Sequence, residues 1–161
     1  MDAIQLLTDQ HRMLEERFNE AVDAADPRER AALLAQAGDN LAVHVAAEED
    51  LFYPAVKAHR TEDILLESLE EHLSLKRLLA DLLDLPADDS TYEAKLKVLR
   101  EQTEHHHREE EEHLFPQVRR CIDAGELEAL GMQMLTLQKQ LLREGQPRET
   151  MAGQTEKATV L

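Results

Sequence analysis

The chain has 161 residues, one domain's worth, of which 42% are apolar, only 3% aromatic and 32% charged, with no tryptophan; this suits helices with narrow apolar stripes and excludes a β-sandwich or barrel. With 34 acidic against 18 basic side chains the formal net charge is −16, which excludes nucleic-acid binding by phosphate neutralisation and adhesion to anionic membranes. No apolar run reaches the roughly 18 to 20 residues that span a bilayer, and MDAIQLLTDQHR lacks the basic and long apolar regions of a signal peptide, so a cytoplasmic address is expected.

The first predicted helix places Ile4, Leu7, His11, Leu14, Phe18 and Val22 at steps of three and four, until Asp26-Pro27 breaks the pattern. The second runs from about Arg28 to His59 through Leu34, Ala37, Leu41, His44, Glu48, Leu51 and Ala55, with Pro54 kinking it or ending its regular part. The third starts near Thr61, carries Leu65, Leu69, His72, Leu75, Leu79 and Leu82, and stops at Pro86. A fourth begins near Ser90 or Thr91, with Glu93 placed for a capping box, and its stripe is Leu96, Leu99, Thr103, His107, Glu111, Leu114 and Val118. A shorter fifth helix, Glu126 to Arg143, packs Leu127, Leu130, Met134, Leu137 and Leu141 on the rest. The expected architecture is an all-α, antiparallel up-down four-helix bundle with a short fifth helix over residues 1–144, followed by a flexible tail, 145–161.

Polar residues interrupt these stripes: His11, His44, Glu48, His72, His107 and Glu111 stand where Leu or Ala normally sits. An uncompensated buried polar group costs on the order of 2 to 7 kcal/mol, and an isolated carboxylate far more, so six in one small core need a shared partner. A metal centre supplies one. His44-x3-Glu48 and His107-x3-Glu111 each put two donors on one helix face, and the segments echo each other: both continue to a Leu-Phe pair and a proline, Pro54 and Pro116, with one residue fewer in the second copy. Four imidazoles and two carboxylates without thiolate suit iron or manganese, and zinc as a substitute. Two octahedral ions taking two histidines each and sharing both glutamates and one oxo or hydroxo oxygen keep one open position apiece, where O2, peroxide or NO binds.

This pattern of His11, His44-x3-Glu48, His72 and His107-x3-Glu111 over four helices, with its Glu-Glu-x-Leu-Phe continuations, resembles the hemerythrin-like HHE cation-binding domain over roughly residues 1 to 122. The resemblance implies two non-haem irons with Glu48 and Glu111 as bridging carboxylates and the four histidines as terminal ligands. It implies a function in binding or reacting with O2, peroxide or NO, or alternatively an iron-handling or metallosensory role that includes iron–sulfur repair. Oxygen-carrying hemerythrins have a further histidine where this chain has Lys76, which speaks against reversible O2 carriage and makes Lys76 either a proton donor near the site or a residue that reaches solvent.

His105, His106 and His113 are read as pointing away if His107 points in. The second register, His106 with Glu110, ranks lower because it loses alignment with Leu114 and Val118. Phe52 and Tyr53 are candidates to wall the site. Cys121, the single cysteine, forms no internal disulfide and is given no role. A metal-free bundle whose polar stripes pair by hydrogen bonds is the remaining alternative, and no protein partner is implied.

Overall fold

A computed structural model describes residues 1–58 and 60–161, so the expected end of the second helix at His59 falls outside them. Helix α1 is Ala3–Asp23; α2 covers 27–56; α3 is Glu62–Asp84; α4 covers 92–121; α5 is Ala124–Glu144; and α6 is Pro147–Ala152. The all-helical bundle is as expected, with no strand among the described residues. Each of α2, α3 and α4 runs antiparallel to the helix before it. None of the helices described is long and apolar enough to cross a membrane.

Local chemistry sets the boundaries. Asp2 caps α1 through Gln5 N while the Gln5 side chain accepts from Asp2 N, and Asp26 caps α2 with Pro27 in the first turn, where no intrahelical donor is needed. At α4 the expected capping box is absent. Asp89 instead accepts from the backbone and hydroxyl of Thr91, and Glu93 pairs with Arg30 at 2.7 Å.

Both long helices α2 and α4 contain one π-helical turn, Glu48–Phe52 and Glu110–Leu114. In each the backbone bond skips one extra residue, from Tyr53 N to Glu48 O and from Phe115 N to Glu110 O. The inward face therefore advances by one position. In α2 the expected stripe residues Leu51 and Ala55 give way to the buried Phe52, Tyr53 and Val56.

The core is two apolar clusters with a polar layer between them. One gathers Ile4, Leu7, Phe52, Val56, Leu69, Leu114 and Val118 with Leu127 and Met134 of α5. The other gathers Leu14, Phe18, Leu41, Leu75, Leu79, Leu96 and Leu99. The layer is thus sealed above and below by hydrocarbon, where unpaired polar atoms are most costly.

Helix α5, at 21 residues, is as long as α1 and lies against α1 and α2. Its Gly131 admits the start of the chain: a Cβ there would stand 2.7 Å from the Met1 carbonyl oxygen. Beyond Gly145 the structure differs from the expected flexible tail. Helix α6 packs on α2 and α3, Met151 is buried, and Ala158 and Leu161 rest on the first apolar cluster. Pattern reading misses this segment because polar bonds and isolated apolar contacts, not a periodic face, hold it.

Candidate metal centre

The polar layer takes His11 from α1, His44 and Glu48 from α2, His72 from α3, and His106, His107 and Glu110 from α4, all buried. Their donor atoms form two groups, each within 4.8 Å: His11, His44, His107 and Glu110 in one, Glu48, His72 and His106 in the other. The carboxylates join the groups. Glu48 presents Oε1 to His44 Nε2 and Oε2 to His72 Nε2, both at 3.0 Å, and Glu110 Oε1 lies 3.4 Å from His11 Nε2 and 3.5 Å from His106 Nε2.

Each of four imidazoles is fastened from behind. His11 Nδ1 donates to Glu111 at 2.8 Å, His44 Nδ1 to Gln10 Oε1 at 2.8 Å, His72 Nδ1 to Glu49 at 2.8 Å and His106 Nδ1 to Glu71 at 3.0 Å. An acceptor behind Nδ1 puts the ring proton there and leaves a lone pair on the inward Nε2, the arrangement that holds a metal-binding histidine in its tautomer. Gln10 is in turn clasped by Gln138 of α5 through two amide bonds, at 2.7 and 3.0 Å.

The inward atoms want a cation. His11, His44 and His107 Nε2, with Glu48 and Glu110 Oε1, are buried without a hydrogen-bond partner, and the Nε2 atoms of His72 and His106 face each other at 2.9 Å. Two lone pairs at that separation repel unless positive charge lies on them. Burial alone would lower His106, but Glu110, Glu48 and Glu71 lift it well above its ordinary value, and Glu48 and Glu49 likewise raise His72 against its burial. Burial and the neighbouring imidazoles of His11, His44 and His106 instead hold His107 far below the ordinary range. Glu48 resists the upward pull of its burial and stays well below the usual carboxylate value because His44, His106 and His72 surround it.

The structure brings together His11, His44, Glu48, His72 and His107 of the sequence-derived set and leaves Glu111 outside. Glu111 is 26% exposed and accepts from His11 Nδ1 and from Arg12; Glu110, 1% exposed, takes the inward place. His106 points in beside His107, because successive residues on a helix diverge by about 100° and so serve different groups. The π turn supplies the reason: it absorbs one residue, so His106 and Glu110 face the layer while Leu114 and Val118 remain in the core. Exposed His105 and His113 stand apart, as expected.

A signal for this existed. With Pro54 set against Pro116 and no gap, His44 meets His106, Glu48 meets Glu110 and Glu49 meets Glu111. The hydrogen bonds repeat likewise, since Glu49 and Glu111 hold the histidines of α3 and α1, and Gln10 and Glu71 hold those of α2 and α4. Two positions break the symmetry. His107 corresponds to Val45, and Tyr53 to Phe115. Phe115 stacks on His11 with ring centres 5.7 Å apart, whereas Tyr53, stacked on His72 at 5.5 Å, adds a hydroxyl. That hydroxyl donates to Glu110 Oε2 at 3.0 Å and lies 3.3 and 3.4 Å from the Nε2 atoms of His72 and His106. Burial, with Glu110 and Glu48 beside it, pushes Tyr53 well above its ordinary value, so it keeps its proton.

The model of the hemerythrin HHE cation binding domain matches residues 2–118. The chain belongs to the hemerythrin HHE family. A solved HHE domain-containing protein from Mycobacterium kansasii superposes with a TM-score of 0.79 at 25% identity, covering 95% of this chain and 98% of that one. A DNA nickase of Nostoc sp. (strain PCC 7120) is 26% identical over 111 residues, 69% of this chain but 32% of the nickase, so this HHE chain spans about a third of that protein's length. Unpartnered inward nitrogens and oxygens, five imidazoles, two carboxylates and no thiolate fit a cation-binding HHE site.

Proposed function

We propose that this HHE protein holds two irons, one on His11, His44 and His107 and one on His72 and His106, with Glu48 and Glu110 spanning both, and that it binds or reacts with O2, peroxide or NO. The observation that carries the reading is the 2.9 Å approach of two outward-fastened imidazoles through their lone pairs. Iron held by these residues would supply redox chemistry, and the side with only two histidines would leave room for a small molecule. Tyr53 stands on that side as a protonated donor. Phe52 and Phe115, both buried and packed edge to face at 5.8 Å, bound the layer with hydrocarbon. A cavity of about 180 Å³ lined by His11, Arg12, Phe18, Thr103, His107 and Glu111 leads to the three-histidine side from the surface and admits only small molecules.

Full burial of the donors favours a resident ion over iron in transit to another protein. The net charge of −16 gives no support to DNA cleavage by this chain.

Metal per chain, measured by plasma mass spectrometry with an aerobic visible spectrum, tests the proposal on wild type, Glu110→Ala and Glu111→Ala. The expected result is about two irons in wild type, loss of at least one in Glu110→Ala, and retention in Glu111→Ala. Equal content in all three removes the spanning role of Glu110. A folded wild type that refuses iron, zinc and manganese overturns the metal reading.

A further inference from the structure

Glu49 lies behind His72, and its other oxygen faces the end of the chain. Glu49 Oε2 accepts from His72 Nδ1; Oε1 accepts from Lys76 Nζ at 2.9 Å and from the Thr159 hydroxyl, which itself accepts from Lys76 at 3.4 Å. Lys76 is only 1% exposed and Glu49 5%, so neither charge has water to fall back on and each depends on the other and on Thr159. Burial on its own would raise Glu49, yet His72, Thr159 and Lys76 hold its carboxyl at about 2. Arg77 adds two bonds to the same segment, through the carbonyls of Thr155 and Glu156. The pseudo-symmetric counterpart differs: Glu111, behind His11, is held by the exposed Arg12 and by no part of the C-terminal segment.

We propose that the segment 154–161 is a docked brace that positions His72 through Thr159 and Glu49, so that its docking and occupancy of the His72 side of the layer reinforce each other. The inference rests on reading the layer as a metal centre. Thr159 and Lys76 are positioning residues. Removing an outer hydrogen-bond partner of a metal-bound histidine weakens the metal by about 10- to 100-fold. Linkage requires the converse, that a bound ion hold the brace down by the same factor.

Trypsin reports the brace directly, because exposed Lys157 lies within it and is cut readily only when the segment lifts. Three chains are compared, wild type, Thr159→Val and Thr159→Ser, each metal-free and iron-loaded. Chelator competition gives their affinities, and cleavage at Lys97 within α4 monitors general unfolding. In wild type, loading is expected to slow cleavage at Lys157 about tenfold without a matching change at Lys97. Thr159→Val is expected to lose about tenfold in affinity for one ion of the two and to lose the metal effect on cleavage, and Thr159→Ser to restore both. Unchanged affinity in Thr159→Val, or cleavage at Lys157 indifferent to iron in a chain that carries it, overturns the brace and leaves the metal centre standing. A wild type that takes up no metal overturns the metal centre and the brace together.

Discussion

Single residues decide which carboxylate enters the layer, and they do so through partners outside it. Residues 109–112 are four consecutive glutamates, so every helix register offers an acid and composition cannot choose among them. Glu111 is drawn outward by Arg12 and His11, and Glu110 is left to face the imidazoles. The same logic of local partners sets the pH response at the start of α1. Burial would raise the Asp2 carboxyl, but Gln5 N and Arg119 lower it below its ordinary 3.8. A depressed folded value stabilises above the unfolded value and is lost as pH falls through the folded one. Asp2→Ala is therefore expected to cost about 1 kcal/mol near neutral pH, as helix caps do, and progressively less below pH 3.8. Denaturant unfolding of both proteins across that range checks it; a constant difference would deny the carboxylate its capping role.

At the scale of elements, the π turns let α2 and α4 serve two apolar clusters and a polar layer at once. Pro54 and Pro116 follow each turn and donate no backbone hydrogen bond, so the adjoining turn loses little by being wide. Deleting exposed Glu112 from the second π turn should restore a regular helix and rotate everything after it by about 100° relative to the ligands. The expected outcome is retained helicity by circular dichroism with a lower Tm and loss of metal, because Leu114 and Val118 or His106 and Glu110 must leave their places. Wild-type metal content in the deletion would show the turn to be incidental. The leucine stripes were legible because periodicity survives across each regular segment. Five of the seven inward donors were legible as breaks in those stripes; His106 and Glu110 were read only as a second, lower-ranked register, because a helix read at one unbroken period cannot hold them together with Leu114. Thr159 and Gln138 escaped for another reason: their effect is transmitted by side-chain hydrogen bonds from beyond the repeat, not by a periodic apolar face.

For the whole molecule, the layer is a liability in the apo state. Unpartnered nitrogens and two carboxylates lie between hydrocarbon clusters in a chain whose net charge is already −16, and only the folded state gathers ligands for a cation. Metal at a thousand times its Kd is expected to stabilise by about 4 kcal/mol, and each kcal/mol raises the Tm of a domain this size by about 2–4 °C. Calorimetry with and without iron measures that rise, and identical transitions would mean that the layer is satisfied without metal. The family's matched region ends at residue 118, before α5 begins at Ala124. Gln138, buried in α5, nonetheless grips the amide that sets the ring angle of His44. Transplanting the four-helix region into another scaffold would thus carry over every inward-facing donor and leave one ring free to swivel, so the portable unit is larger than the region by which the family is known.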